Sequence, residues 1–212
     1  YLMEPEPYPM FKMPDVAKRR IFAATILMIV AGAGTIAQEP AGGERYWPSW
    51  RGPLNRGVAL HAEPPLVWSE TANVRWKVEL PGLGSATPVV WGNRVFVLTA
   101  VRTERAEEGP GFFSRLRTRI IGGMSSTHLQ QFVILALDRR DGTVLWDHVV
   151  REAAPHQGIH RTNTWASGSA VTDGEVVCAF FGSNGLYCFA LDGALLWTID
   201  LGDMRIKMSF GE

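Results

Sequence analysis

Two histidines in this 212-residue chain have a spacing that is typical of metal ligands. His156 and His160 are separated by three residues, which on a helix would place both imidazoles on one face. The same stretch contains Pro155 and Gly158, which favour a loop, and no third ligand is evident in it. We therefore expect hydrogen-bonding roles rather than a metal site. The candidate residues of a ligand-facing loop are His156, His160, Arg161 and Asn163.

The only cysteines, Cys178 and Cys188, fall on two predicted neighbouring strands. A disulfide is permitted if the protein is exported. If residues 182–185 (Gly-Ser-Asn-Gly) form the whole turn, Cys178 lies opposite Phe189, and a direct bridge needs a β-bulge. The sequence leaves a bridge and two buried thiols open, and the predicted register favours the thiols.

Asp138 and Asp192 each precede a glycine turn. Aspartate at this position typically accepts hydrogen bonds from turn amides, so we expect a structural role rather than acid–base catalysis. The chain lacks the fingerprints of serine hydrolases, zinc proteases, P-loop proteins and dinucleotide-binding folds. We predict no catalytic residue and no metal ligand in it.

The elements that position these residues repeat along the chain. FVILALDRRDGTVLW ends at Trp146 and GLYCFALDGALLW ends at Trp197, and Trp76 closes a third strand of the same kind. A repeat of about 50 residues built of short strands is typical of a propeller blade. Gly142 and Gly193 supply the positive φ that a tight hairpin needs.

The sequence therefore predicts an all-β fold, a β-propeller of four-stranded antiparallel blades. We expect two blades and, around Trp76, an outer strand of the closing blade, in a truncated chain. The predicted strands are 86–91, 94–101, 131–138 and 143–150 in the first blade, and 168–172, 175–181, 186–191 and 194–200 in the second.

ALDRRDGTVLW fits the AxDxxxGxxxW pattern of the quinoprotein β-propellers, which are named for pyrroloquinoline quinone (PQQ). ALDGALLW keeps the alanine, aspartate, glycine and tryptophan with a tighter turn, and the resemblance covers about residues 73–202. It implies that each outer-strand tryptophan docks between neighbouring blades. The docking residues expected on this basis are Trp76, Trp146, Trp197, Asp138, Gly142, Asp192 and Gly193.

The family that the chain resembles has two branches. One consists of dehydrogenases that hold PQQ over the propeller axis. The other consists of quinone-free propellers, including an outer-membrane assembly factor that binds protein partners. The resemblance implies a binding or assembly platform with a protein or small-ligand partner and without a cofactor in this segment. The alternative is a PQQ-dependent dehydrogenase, with calcium, whose active-site residues lie in blades beyond this sequence.

The amino-terminal residues indicate export. Lys18, Arg19 and Arg20 precede an apolar run typical of a secretory signal peptide, for which we predict residues 13–37. Residues 1–12 then form an upstream extension and residues 38–72 an extended segment. We expect a periplasmic or secreted protein, with an uncleaved signal segment as the one route to a membrane.

Two further features complete the organisation of the chain. An insertion at about 102–128 separates two strands of the first blade, and its alternating Arg115, Arg117 and Arg119 suggest a short extra strand that is either a partner contact or a solvated loop. Residues 203–212 are predicted to begin the next blade. The charge is balanced, with 21 basic and 21 acidic residues, and no basic block indicates nucleic acid binding.

Overall fold

The computed structural model describes residues 43–106, 123–124, 128–156 and 158–204. The chain divides into two compact units, 1–38 and 39–212, and the described residues all belong to the second. The predicted upstream extension, the predicted signal peptide and the arginine-rich stretch 115–119 lie outside the described residues.

The described residues form an all-β structure, as the sequence predicts. Short 3-10 turns occur at Gly43–Arg45, Pro53–Asn55 and Gly182–Asn184. The strands are β1 (Val89–Trp91), β2 (Arg94–Ala106), β3 (Gly123–Met124), β4 (His128–Asp138), β5 (Val144–Ala153), β6 (Ile159–His160), β7 (Val171–Thr172), β8 (Val176–Phe180), β9 (Leu186–Ala190) and β10 (Leu195–Ile199). Among these residues, no helix has the length and apolar character that crossing a bilayer requires.

Eight of the strands build two antiparallel sheets. The first blade has the order β1-β2-β4-β5, and the second has the order β7-β8-β9-β10. Strands that follow one another in each sheet therefore lie side by side, which is the meander expected of a propeller blade. The remaining strands, β3 and β6, pair with each other. The predicted fold class is confirmed by this arrangement.

Besides small shifts at other strand ends, two differences from the prediction are large. Strand β2 continues to Ala106 and β4 begins at His128, so the central hairpin of the first blade extends into the predicted insertion. Cross-strand pairing of Arg102 with Gln130 carries this extension. Residues 73–80 around Trp76 have no strand assignment, and in the described part of the chain no strand pairs with them. A strand assignment requires such a partner.

The core lies between the two blades. The face of β2 that carries Phe96 and Leu98 is fully buried, and it shares one apolar cluster with Val177 and Phe181 of the second blade. The Phe132 and Phe181 rings meet edge to face across this interface, with their centroids 5.6 Å apart. The period-two alternation of the strands therefore sends one face of each blade into a shared core.

The hairpin between β8 and β9 corrects the predicted register. Its turn contains three residues, Gly182–Asn184, and is closed by a hydrogen bond of 2.9 Å from the Phe181 amide to the Gly185 carbonyl. With one residue fewer in the turn than predicted, Cys178 faces Cys188 and the two form a disulfide. The expected pairing of Cys178 with Phe189, and with it the two free thiols, is wrong.

The disulfide replaces an aliphatic pair of the first blade. Cys188 lies four residues before Asp192, just as Ile134 lies four residues before Asp138, and Ile134 pairs with Leu98. Leu98 and Ile134 are fully buried, and so is Cys188. The second blade thus uses a covalent link where the first uses side-chain packing.

We expect the bridge to stabilise the second blade. The Cys178→Ala/Cys188→Ala double variant should lower the free energy of unfolding by about 2–3 kcal/mol, because the open loop regains conformational entropy in the unfolded chain. Urea denaturation of the oxidised protein measures this change. Each single variant also breaks the bridge, so it should lose nearly as much as the double variant. Small decreases in the free energy of unfolding that add up from the two single variants to the double variant would contradict a stabilising disulfide.

Candidate functional site

The antiparallel order gives the two blades a turn end and a loop end. The turn end carries the short connections at 92–93, 139–143, 173–175 and 191–194. At the loop end β2 ends and β4 begins, β5 ends and β7 begins, and residues 181–185 join β8 to β9. Trp91 and Trp146 lie near the turn end of the first blade and pack on Gly174 and Gly193, so both blades have their turn ends on the same side.

Trp146 joins the two blades at the turn end. Its indole N–H donates a hydrogen bond of 3.1 Å to the Leu191 carbonyl, and its ring lies flat against Gly193. A Cβ atom on Gly193 would come within 2.9 Å of the ring, and the φ of this residue is +98°. The ring also lies 5.9 Å from Phe96 and 5.8 Å from Phe189, centroid to centroid. Position 193 therefore requires glycine, because the Trp146 ring leaves no room for a side chain.

Trp76 makes the same contacts with the first blade. Its indole N–H donates to the Arg139 carbonyl at 2.9 Å, and a Cβ atom on Gly142 would lie 2.6 Å from its ring. Trp197 holds the corresponding position on β10 and is half-buried. Trp76 and Trp146 thus each donate to a turn carbonyl and pack on a turn glycine, although the accepting carbonyl follows the aspartate in the first blade and precedes it in the second.

Sequence reasoning missed a second contact at the joint between the blades. His148 Nε2 lies 2.8 Å from the Gly193 carbonyl oxygen, and its ring stacks on Phe189 at 5.1 Å. A carbonyl only accepts hydrogen bonds, so Nε2 carries the proton. The two-residue spacing from Trp146 places His148 on the same face of β5, but no sequence signal identifies Gly193 and Phe189 as its partners.

Asp138 is the buried centre of the first docking turn. Its carboxylate accepts hydrogen bonds from the Arg140 amide at 2.8 Å, from the Arg140 guanidinium at 2.6 Å and from the Asn93 side chain at 3.1 Å. These contacts, led by the Arg140 side chain, lower the pKa of Asp138 from 3.8 to about 2. Asp192 is exposed and accepts one amide hydrogen bond, from Ala194 at 3.1 Å. Both aspartates therefore hold turn amides.

The four candidate loop residues lie at the loop end but in separate local contacts. Nε2 of His156 is 3.5 Å from Ser183 Oγ, and His160 Nδ1 is 2.8 Å from Thr162 Oγ1. Asn163 accepts a hydrogen bond of 2.6 Å from the Ser167 hydroxyl, and Arg161 is exposed. In the described ranges, no group of three or more histidine, cysteine, aspartate or glutamate side chains is placed to hold a metal ion.

Two contacts fix the Gly182–Asn184 turn at this end, one from β9 and one from the segment that follows β10. The Tyr187 hydroxyl donates to the Asn184 carbonyl at 2.7 Å, and the Met204 amide donates to Ser183 Oγ at 2.8 Å. Burial raises the pKa of Tyr187. The pKa of Asp200 is lowered by the Gly202 amide and then by Arg151, whose guanidinium lies 3.3 Å away.

We expect the glycines under the indoles to be irreplaceable. Gly142→Ala and Gly193→Ala should each lower the free energy of unfolding by about 2–4 kcal/mol, because a strained positive φ is added to a clash with the ring. Gly92→Ala is the matched control: its φ is +56°, but its Cβ would meet no atom within 4 Å. That variant should cost about 1 kcal/mol. Equal losses in thermal or urea unfolding would contradict the docking contacts.

Asp138 should make stability depend on pH. Since its pKa is lower in the folded state, its contribution is complete above the unfolded value of 3.8 and is lost as the pH falls through about 2. The stability difference between the unchanged chain and Asp138→Asn should therefore shrink between about pH 4 and pH 2. Urea midpoints at several pH values measure it. Asp192→Asn is the control: this variant keeps Asp138, so its stability should still fall between about pH 4 and pH 2 as that of the unchanged chain does. A stability difference between the unchanged chain and Asp138→Asn that stays constant over this pH range would refute the prediction.

Comparison with known proteins identifies the repeat. A family model described as outer membrane protein assembly factor BamB, built on PQQ-type repeats, matches residues 103–209. This span is half of the chain and includes β4, β5 and the whole second blade. No curated protein matches the chain. The quinoprotein-like repeat predicted from the docking pattern is confirmed, and this chain belongs to the PQQ-type repeat family of that assembly factor.

Proposed function

We propose that this chain is an exported, non-catalytic binding or assembly platform and that its loop end contacts a protein partner. One observation carries the proposal: residues 158–170, which lead from the first blade to the second, lie at the loop end, whereas the turn end contains short turns that receive the docked indoles of Trp76 and Trp146. Binding residues concentrate on loops that a rigid scaffold positions.

Hydrogen bonds between the blades support a preformed surface. The Ser85 amide donates to the Ala166 carbonyl at 3.0 Å, and the Thr87 amide donates to Ser169 Oγ at 2.9 Å. These contacts tie the connection at 154–170 to the segment that enters β1. A surface that is ordered before binding loses less conformational entropy when a partner docks.

The polar contacts at the loop end support a non-catalytic role. Nucleophilic catalysis requires a nucleophile within hydrogen-bond reach of a base, which a third group orients. His156 Nε2 and Ser183 Oγ are 3.5 Å apart, and the Ser183 hydroxyl also accepts from the Met204 amide and donates to the Met204 carbonyl at 3.4 Å. Asn163 and Ser167 bind each other within one loop. These interactions maintain the shape of the loops.

Two observations support export. The Cys178–Cys188 bridge is of a kind that persists in oxidising compartments such as the periplasm or the extracellular space. The family model is described as an outer-membrane protein assembly factor, which favours a location outside the cytoplasm and a protein partner for this chain as well. We therefore propose the periplasm or the outside of the cell as the location of this platform.

Site-specific photo-crosslinking tests the proposal. A photoreactive phenylalanine analogue at Arg161, which is exposed on the loop end, should give discrete protein adducts in cells that produce the chain. The same analogue at Asp192, which is exposed on the turn end of the second blade, is the matched control and should give none.

Equal adducts at the two positions, or adducts at Asp192 alone, would refute the loop end as the contact surface. Titration of the chain with PQQ and calcium, followed by tryptophan fluorescence, tests whether these blades bind the cofactor by themselves. Saturable binding there would replace the platform with a cofactor-dependent role, and we expect none.

A further inference from the structure

An open cleft lies at the turn end of the first blade. It has a volume of about 680 Å³, within the range of pockets that hold small ligands. Residues 43–64, here called the arm, form its walls, and Val90 and Arg139 of the blade form its floor. The docking motifs and the candidate loop do not account for it.

The junction between arm and blade is fixed by backbone hydrogen bonds. The Trp47 amide donates to the Val90 carbonyl at 3.0 Å, and the Trp47 carbonyl accepts from the Val90 amide at 2.8 Å. The Arg139 amide donates to the Asn93 carbonyl at 3.0 Å, and the Arg139 carbonyl accepts the Trp76 indole. The turn that receives Trp76 therefore holds the Arg139 backbone at the floor of the cleft, and the Arg139 guanidinium lies 3.5 Å from the Gly92 carbonyl.

The lining combines both signs of charge with aromatic surface. Acidic and basic groups are contributed by Glu44, Glu63, Arg45 and Arg139. His61 lies 3.7 Å from Glu44. The Tyr46 ring packs against Trp91, with centroids 5.1 Å apart, and forms part of the same wall. The cleft thus offers donors, acceptors and an apolar face together.

This lining disfavours two ligand classes. The phosphates of a nucleotide would meet the carboxylates of Glu44 and Glu63 as well as Arg45 and Arg139, so the cleft lacks the uniformly cationic surroundings that phosphates favour. A purely apolar ligand would remove water from charged groups on both walls without replacing their hydrogen bonds, which is costly. A ligand for this cleft carries both charges and an apolar group.

We propose that the cleft binds a short extended peptide segment of mixed charge with an aromatic side chain. Successive side chains of an extended peptide point to opposite sides, so charged residues can meet Arg139 and Glu44 while an aromatic residue packs on Tyr46. The site lies at the opposite end of the blades from the loop surface proposed above, and it stands independently of that surface.

Peptide binding to the full chain tests the proposal. The probe is fluorescein-labelled Lys-Phe-Glu-Phe-Lys, and fluorescence anisotropy reports its binding. We expect saturable binding that Arg139→Gln and Glu44→Gln each weaken about tenfold, since each removes a charge-assisted contact. Ala62→Trp fills the cleft without removing a polar group, and it should abolish binding. Arg56→Gln, on an exposed arginine of the arm outside the lining, should bind like the unchanged chain.

Several results would overturn the proposal. They are the lack of saturable binding at millimolar peptide, unchanged affinity in both Arg139→Gln and Ala62→Trp, and equal affinity for the uncharged peptide Gln-Phe-Gln-Phe-Gln. Binding of maltotriose in place of the peptide, followed by tryptophan fluorescence, would assign the cleft to carbohydrate. The unfolding midpoint of each variant is measured beside its titration, to show that the variant is folded. If a charge variant is unfolded, Ala62→Trp still tests the cleft, because it removes no polar group. Loop-end crosslinks would be unaffected by any of these outcomes.

Discussion

The packing of an indole on a glycine turn is the contact on which the rest of the structure depends. Trp146 combines a directional hydrogen bond to the Leu191 carbonyl with close contact to Gly193, so it fixes both distance and orientation between the sheets. With the blades held in this way, Phe132 and Phe181 meet edge to face in the core. Apolar burial alone is non-directional and would not choose this arrangement.

The sequence predicted the features that local patterns encode. The repeated AxDxxxGxxxW motif and the period-two strands led to the two blades, and the glycines that receive Trp76 and Trp146 were among the expected docking residues. The register of β8 and β9 was missed because it depends on whether the turn has three or four residues. The disulfide followed from that register, so no composition argument could decide it.

Contacts between distant segments were beyond prediction. His148 looked like an ordinary strand residue, yet it binds Gly193 and stacks on Phe189 in the other blade. The arm cleft forms through the backbone pairing of Trp47 with Val90, and no sequence motif predicts that pairing. The partners of the candidate loop residues, such as Ser183 for His156, become visible only when the hairpins are placed.

The indole and the glycine turn that receives it belong to successive repeats, and this arrangement has an evolutionary consequence. Trp146 leaves the first blade to meet Gly193 of the second, just as Trp76 meets Gly142. A tandem duplication of one whole repeat would copy both the outer-strand tryptophan and the glycine turn. The new blade could therefore dock on its neighbours without further mutation. Gene segments of this type can therefore expand or contract in whole units without a new interface having to evolve.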